Sequence, residues 1–447
     1  APPGQLPAAT GPLAQADIDG DGDLDLFVGG RVAPGAYPIA VDSRLLIHDG
    51  DALRVDAERS RPFARLGLVS AALFTDYDLD GDPDLALALE WGSVRLFRND
   101  AGRFTDVSAA LGLTRLTGRW NGLAAADFDE DGRPDLVATG WGANLDVPSA
   151  YSLIYGDMNR DGIVDLVEAR TESGVWRPLR GRDALAVPGG LSALLRVTYE
   201  RFARAPLTDL IGGLDPERRL DANELRHTVW LNRPSGFESA PLPAAAQRAP
   251  AFGVAAADLD GDGHEDLVLA QNFYAGRPGA PRYDAGRGLW LRGDGQGGFE
   301  PVPAPRSGIA VYGDARAVSL ADPDRDGRVD VAFGVNGGET RLYRNVGAAP
   351  GLRVTLEGPA ANPRAIGARL RLEYADGTFG PAREVRSGEG YLARHESTQT
   401  LGLAGDPPAG PATLHVVWPN GGETSVSIPP GTLEVRVPPA GTGGTSG

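Results

Sequence analysis

Six short acidic loops recur along the chain, each reading D-x-[DN]-x-D-G-x-x-D followed by Leu or Val, and no other feature restricts the fold as much. They comprise Asp17, Asp19, Asp21, Gly22 and Asp25; Asp76, Asp78, Asp80, Gly81 and Asp84; Asp127, Asp129, Asp131, Gly132 and Asp135; Asp157, Asn159, Asp161, Gly162 and Asp165; Asp258, Asp260, Asp262, Gly263 and Asp266; and Asp322, Asp324, Asp326, Gly327 and Asp330. Oxygen side chains at positions 1, 3, 5 and 9, with a glycine at 6 for the sharp turn, make a hard-oxygen cage suited to Ca²⁺. A single Asp-rich loop reads equally well as a solvated turn, because Asp, Asn and Gly favour turns for backbone reasons. Six copies in register do not. Four or five carboxylates in one nine-residue turn repel one another unless a cation sits among them.

The loops begin at residues 17, 76, 127, 157, 258 and 322, at intervals of 59, 51, 30, 101 and 64 residues. Short β-rich runs flank each loop, as in Gly122-Leu-Ala-Ala-Ala-Asp127 and Asp135-Leu-Val-Ala-Thr139. The unit is a hairpin with its metal at the turn. A second hairpin follows several loops, as in Ser93-Val-Arg-Leu-Phe-Arg-Asn-Asp-Ala-Gly-Arg-Phe104 and Leu289-Trp-Leu-Arg-Gly-Asp-Gly-Gln-Gly-Gly-Phe299. Two hairpins make a four-stranded blade, and blades commonly repeat every 40 to 50 residues or so. The expected fold is mainly β: a six- or seven-bladed calcium-binding β-propeller over 1–350, with a helical insertion at about 181–225 carrying Leu191-Ser-Ala-Leu-Leu-Arg-Val-Thr-Tyr-Glu-Arg-Phe202. A small β domain over 351–438 and a Gly/Thr-rich tail over 439–447 complete the division.

Composition agrees with metal-bearing loops. The formal net charge is -17; six Ca²⁺ would bring it to about -5, so the acidity reads as ligands and argues against a nucleic-acid partner. No cysteine is present and all 43 basic residues are arginine, which excludes a Schiff-base lysine. No apolar run reaches membrane-spanning length. The chain starts at Ala1. That start fits a secreted protein whose signal peptide has been removed, and an extracellular or cell-surface location is expected.

In the fourth loop Glu168 stands at position 12, as in an EF-hand, and is counted with the metal ligands. The flanks Tyr151-Ser-Leu-Ile-Tyr155 and Leu166-Val-Glu-Ala-Arg170 read as strands, not as the helices of that motif.

The loops and their Leu-Phe-Arg-Asn hairpins resemble the FG-GAP or VCBS repeats of integrin-α-like propellers. Phe27-Val-Gly-Gly-Arg-Val-Ala-Pro-Gly-Ala-Tyr-Pro38, Gln271-Asn-Phe-Tyr274 and Arg282-Tyr-Asp-Ala-Gly-Arg-Gly288 are similar to cartilage-acidic-protein-like propellers. Ala365-Ile-Gly-Ala-Arg-Leu-Arg-Leu372, Ser387-Gly-Glu-Gly-Tyr-Leu392 and Val417-Trp-Pro-Asn-Gly-Gly-Glu423 resemble the ASPIC/UnbV domain. The resemblance implies a secreted or surface calcium-binding protein and no particular reaction.

Catalytic motifs are missing: there is no H-E-x-x-H, no G-x-S-x-G and no P-loop. Of five histidines, His264 falls inside the fifth loop and reads as an exposed turn residue; His395 beside Glu396 lacks a partner motif. A non-enzymatic structural or adhesive protein is therefore expected. The alternatives are a carbohydrate- or protein-binding propeller using Trp120, Trp141, Asn272–Tyr274 and Tyr283, although such tryptophans and tyrosines read first as fillers of blade cores, and an enzyme acting on polysaccharide. The last repeat supplies Thr340-Arg-Leu-Tyr-Arg-Asn345 without a following Gly-x-Phe strand. Either the N-terminal segment closes the ring, or a neighbouring subunit donates a strand and the protein forms a homo-oligomer or filament.

Overall fold

The computed structural model describes residues 9–144, 150–186, 190–212, 214–274, 282–403 and 411–439. The tail at 440–447, the first eight residues and the centre of the 272–283 insert lie outside this set.

Each acidic loop is the turn of an antiparallel hairpin, and all six hairpins share one register. The residue before position 1 pairs with position 9: Ala16 with Asp25, Thr75 with Asp84, Ala126 with Asp135, Gly156 with Asp165, Ala257 with Asp266 and Ala321 with Asp330. The first, second and fifth sheets each add a second hairpin directly, giving strands Ala9–Ala16 to Leu53–Asp56, Leu68–Thr75 to Arg103–Asp106, and Ala251–Ala257 to Phe299–Val302. The sixth sheet stops at three strands, Ala315–Ala321, Asp330–Val335 and Arg341–Tyr343.

The third sheet is interrupted. Its strands Gly122–Ala126 and Asp135–Thr139 pair with Thr228–Arg233 and Gly236–Pro241, and the chain between makes a separate fourth sheet holding the fourth loop. The insertion is thus wider than 181–225 and begins before the fourth loop, which explains the 30-residue and 101-residue intervals. Its helical part is a 3-10 turn at Ser192–Arg196 and short helices such as Tyr199–Arg204, capped by Thr198 Oγ1 accepting from Arg201 N at 3.3 Å. Leu185, Leu194, Leu207 and Leu210 cover Ile154, Val167 and Ala169, so the excursion has a small core of its own.

Five sheets stand in series through their first strands. Ala9–Ala16 packs beside Leu68–Thr75, that strand beside Gly122–Ala126, then Ala251–Ala257 and Ala315–Ala321. Small side chains permit this approach. A Cβ on Gly122 would stand 2.0 Å from the Phe252 carbonyl oxygen. The fourth sheet stays outside the series, its Arg219–Ala222 strand lying against Asp84–Ser93 and Thr117–Arg119. Among the described residues no comparable packing returns from Ala315–Ala321 to Ala9–Ala16.

Aromatic residues fill the seams between sheets, with Phe63 against Phe97 at 4.8 Å and Trp120 against Trp230 at 5.3 Å. His227 lies fully buried in the third sheet. Its Nδ1 accepts from Gly140 N at 2.9 Å, which leaves Nε2 to donate to Ala249 O at 3.1 Å and fixes a neutral ring. Burial lowers its pKa to about 4. Because the unfolded histidine titrates near 6.5, this stability is complete above pH 6.5 and is lost as pH falls towards 4, by about 3 kcal/mol in all. Urea titrations across that window should show His227→Gln with a flatter pH dependence than the parent; parallel curves would refute the assignment.

The C-terminal domain consists of two sheets, one around Leu352–Leu356 and one around Arg369–Glu373 and Ala412–Val417, closed over Val354, Leu370, Leu414, Val416 and Trp418. From it, residues 382–396 run along the first strands of the five-sheet series. Bridges form between Gln15 and Ser387 and between Leu123 and Gly390. Glu396 N donates to Leu320 O at 3.1 Å. Two glycines allow this path: Gly388 and Gly390 have φ of +98° and +68°, and a Cβ on either would stand 2.4 Å from Leu13 O or 2.7 Å from Val254 O.

Candidate metal centres

The acidic loops are built alike atom by atom. Position 1 turns Oδ2 back on the glycine N–H, as in Gly22 to Asp17 at 3.0 Å, Gly81 to Asp76 at 3.1 Å, Gly162 to Asp157 at 3.0 Å and Gly263 to Asp258 at 2.8 Å. Position 5 accepts the N–H two residues on, as Asp21 does from Asp23 and Asp131 from Arg133, both at 2.9 Å. These bonds hold the loop while leaving other carboxylate oxygens free to converge.

Position 9 joins the loop to the sheet. Oδ2 of Asp84, Asp135 and Asp266 accepts the N–H at loop position 2, and Oδ1 accepts an N–H from the third strand, at Asn99 (2.8 Å), Asn232 (2.6 Å) and Gly293 (2.8 Å). Asp266→Ala would strand two buried N–H groups and should cost about 3 kcal/mol, at ~1–3 kcal/mol each. Urea denaturation should show a lower midpoint with an unchanged m-value; an unshifted midpoint would contradict the role.

Asparagines on or just beyond the third strands tie neighbouring sheets together, a role that motif reading passes over. Asn99 Nδ2 donates to Ile18 O at 2.9 Å, Asn232 to Tyr77 O at 2.8 Å and Asn345 to Leu259 O at 2.7 Å, each reaching position 2 of the preceding sheet's loop. At Gly293 no side chain is available, and Gly297 N instead donates to Phe128 O at 2.9 Å. The asparagine recurring where the third strand ends, in Arg98-Asn99, Leu231-Asn232 and Arg344-Asn345, was the available signal.

Carboxylate oxygens lie within 4.8 Å of one another in five groups: Asp17, Asp19 and Asp25; Asp76, Asp78 and Asp84; Asp127, Asp129 and Asp135; Asp258, Asp260 and Asp262; Asp322, Asp324 and Asp326. Oδ1 atoms of Asp19, Asp127, Asp129 and Asp260 are buried without a hydrogen-bond partner. Burial, with added repulsion from Asp78 and Asp76, pushes Asp84 up to about 9; burial likewise moves Asp135 and Asp266 to about 8. Buried anions with unfilled lone pairs in an all-oxygen set match a hard divalent cation.

Several loops carry a guanidinium from a neighbouring strand. Arg292 Nε lies 2.7 Å from Asp260, Arg344 contacts Asp326 at 3.3 Å, Arg59 contacts Asp19 at 3.3 Å, and Arg233 pairs with Asp129.

The fourth loop differs. Asp157, Asn159, Asp161 and Asp165 form the same turn, with Asn159 Nδ2 donating to Asp161 at 2.9 Å. Glu168 lies on the strand Asp165–Glu172 and accepts from Arg180 Nε at 2.7 Å; no acidic group among the described residues includes it.

The C-terminal domain rests on the loop end of the series. Carboxylates of its extended segment accept first-strand and loop N–H groups: Glu384 from Asp76 at 3.0 Å, Glu389 from Ala125 at 3.1 Å and Glu396 from Asp322 at 2.9 Å. Arg386 Nη1 donates to Ala125 O at 2.6 Å, and Arg383 pairs with buried Glu265. Ala382 N donates to Asp127 Oδ2 at 2.8 Å, and Arg353 Nε stands 3.2 Å from Asp322 Oδ2. Edge groups that would otherwise meet only water are thereby paired.

His264 does not stand free. It pairs with Glu130 of the third loop, and that bond raises it to about 9. His395 is half-buried, Nδ1 accepting from Leu320 N at 3.1 Å with Glu389 3.7 Å from Nε2. Trp120 and Trp141 are buried, Trp141 beneath the Arg119 guanidinium at 3.9 Å, so neither lies on an open surface; Tyr274 is 53% exposed.

Residues 76–138 match the family model of an FG-GAP-like repeat, and residues 358–441 that of ASPIC and UnbV. No curated protein matches the chain. Among solved structures the chain is similar to BBS1N in complex with ARL6DN, at 11% identity, 97% coverage of this chain and 96% of that one, with a TM-score of 0.33. It is similar to the V. cholerae biofilm matrix protein Bap1, at 14% identity, 95% and 61% coverage and a TM-score of 0.29. It also resembles the exotype rhamnogalacturonan lyase YesX, at 13% identity, 96% and 73% coverage and a TM-score of 0.32. These superpositions are too loose to bear on function. The chain is a mainly β protein that carries an FG-GAP-like repeat and a C-terminal ASPIC and UnbV domain.

Proposed function

We propose that this is a non-enzymatic, extracellular, calcium-stapled structural or adhesive protein, its five-sheet series forming a propeller whose open side is spanned by residues 382–396. The carrying observation is the set of buried, unpaired Oδ1 atoms of Asp19, Asp127, Asp129 and Asp260, each within a group of converging carboxylates. Calcium there screens carboxylate repulsion and fixes the hairpin turns on which the C-terminal domain sits. The ligands close on the fold's own turns, with position 9 committed to the third strand, which favours a structural over a catalytic metal.

No helix among the described residues is long and apolar enough to cross a membrane. Isothermal titration with CaCl₂ on chelator-stripped protein should show several sites, and Asp127→Asn with Asp129→Asn should remove one. Absence of calcium heat, or equal response to Mg²⁺, would overturn the reading.

A further inference from the structure

The sixth sheet lacks the fourth strand that completes its neighbours in the series. Among the described residues no strand pairs with the outer edge of Arg341–Tyr343. An unpaired edge is a template for another strand.

What the missing strand would contribute is visible in the other seams. In the second, third and fifth sheets the fourth strand brings a phenylalanine back towards the preceding sheet: Phe104 stands 5.5 Å from Phe63, Phe299 stands 5.3 Å from Phe128, and Phe237 joins the cluster of Leu96 and Trp230. The seam between the fifth and sixth sheets has no such residue. A groove of about 340 Å³ opens there instead, lined by Trp290, Val302, Ile309, Val331, Tyr343 and Val346. Trp290 Nε1 is buried in this region without an acceptor, and Val346 is 78% exposed at its side.

The three phenylalanines follow a glycine closely: Gly102-Arg-Phe104, Gly236-Phe237 and Gly298-Phe299. Residues 1–8 contain Gly4-Gln-Leu6, with the same spacing as the first of these, and no charged side chain. The prolines beside it are compatible with an outer strand, where Pro301 already sits.

Within one chain this segment cannot serve. Only Pro7 and Ala8 separate Leu6 from the first strand at Ala9, whereas the completed sheets use between nine residues (242–250) and fifteen (107–121) to pass from a fourth strand to the next sheet's first strand. The first and sixth sheets also make no comparable first-strand packing with each other among the described residues.

We propose that the edge at Arg341–Tyr343 is a strand-accepting site for residues 1–8 of a second copy, with Leu6 entering the groove. The proposal rests on the structural reading above. The donor's own sixth sheet remains free to accept another copy, so the contact is head-to-tail and propagates into a filament.

The absence of native cysteine makes a direct test possible. Full-length Leu6→Cys and Val346→Cys proteins, mixed in calcium under mild diamide oxidation, should give a covalent heterodimer; the double variant should give a ladder. Leu433→Cys, 49% exposed on the C-terminal domain, replaces Val346→Cys as the control. Deletion of residues 1–8 should abolish the rise in light scattering with protein concentration that assembly predicts, while leaving the melting temperature of dilute protein unchanged. Cross-linking no greater than the control, or closure of the double variant only within one chain at high dilution, overturns the proposal. Melting curves with calcium and with chelator on the same samples separate the two readings. A calcium shift without cross-linking refutes the strand-accepting site alone, and cross-linking without a calcium shift refutes the staple.

Discussion

Chelating calcium is expected to lower the melting temperature by about 10 °C or more, because a ligand bound only by the folded state stabilises it by ~2.7 kcal/mol per site at a hundredfold excess over Kd. Five acidic groups are spread through the series, so the losses fall on every seam and do not confine themselves to one hairpin. Without the ion, buried carboxylates such as Asp127 and Asp129 keep unpaired oxygens beside like charges, a cost that neutral loops would not have. Arginines such as Arg292 and Arg233 offset part of it, which predicts a folded but weakened calcium-free protein. Differential scanning calorimetry with EGTA, then with calcium restored, measures the effect. A melting temperature indifferent to both additions would exclude structural calcium.

Replacing Arg383 with methionine is expected to cost about 3–5 kcal/mol, the usual result of leaving one buried partner of an ion pair uncompensated. Glu265 is buried, and burial already raises its pKa against the pull of Arg383. Arg383 also donates through Nη1 to Thr400 O at 2.5 Å, so the residue ties the fifth acidic loop to the C-terminal domain. The predicted signature is a calorimetric trace in which the C-terminal domain separates as an earlier transition. Combining Arg383→Met with Glu265→Gln should recover part of the loss, since the orphaned charge is gone. A double variant as unstable as the two single losses added together would contradict this account.

The acidic loops were legible because their chemistry is local. Asp, Gly and Asp at fixed spacing determine the turn, the hairpin and its register within nine residues, and the lack of a Gly-x-Phe run after Thr340–Asn345 likewise marked the missing fourth strand of the sixth sheet. The wider assembly was less legible for identifiable reasons. The fourth loop matches its siblings in sequence, but whether its hairpin joins the series depends on long-range pairing of Leu136 with Trp230 across the insertion. His264 and Glu130 lie 134 residues apart, and no local pattern marks their contact. Glu168 matched position 12 of a calcium loop, but on the strand it is taken by Arg180. Trp120 and Trp141 lie in the interior, as the blade-core reading of these aromatics expected, because an aromatic ring buried in a seam removes more apolar area from water than one left outside.

Sequence alone determined the repeating unit: six acidic turns, the strands that flank them, a β-rich C-terminal domain, and the lack of a catalytic motif. Tertiary structure decided which sheets stand in series, that a C-terminal segment supplies Glu384, Glu389 and Glu396 to their first strands, and that the sixth sheet, among the described residues, stops at three strands. The division follows from range. Turn chemistry is settled by neighbours in the chain, whereas unpaired strand edges can be satisfied by any segment that reaches them, and only the folded arrangement shows which one does.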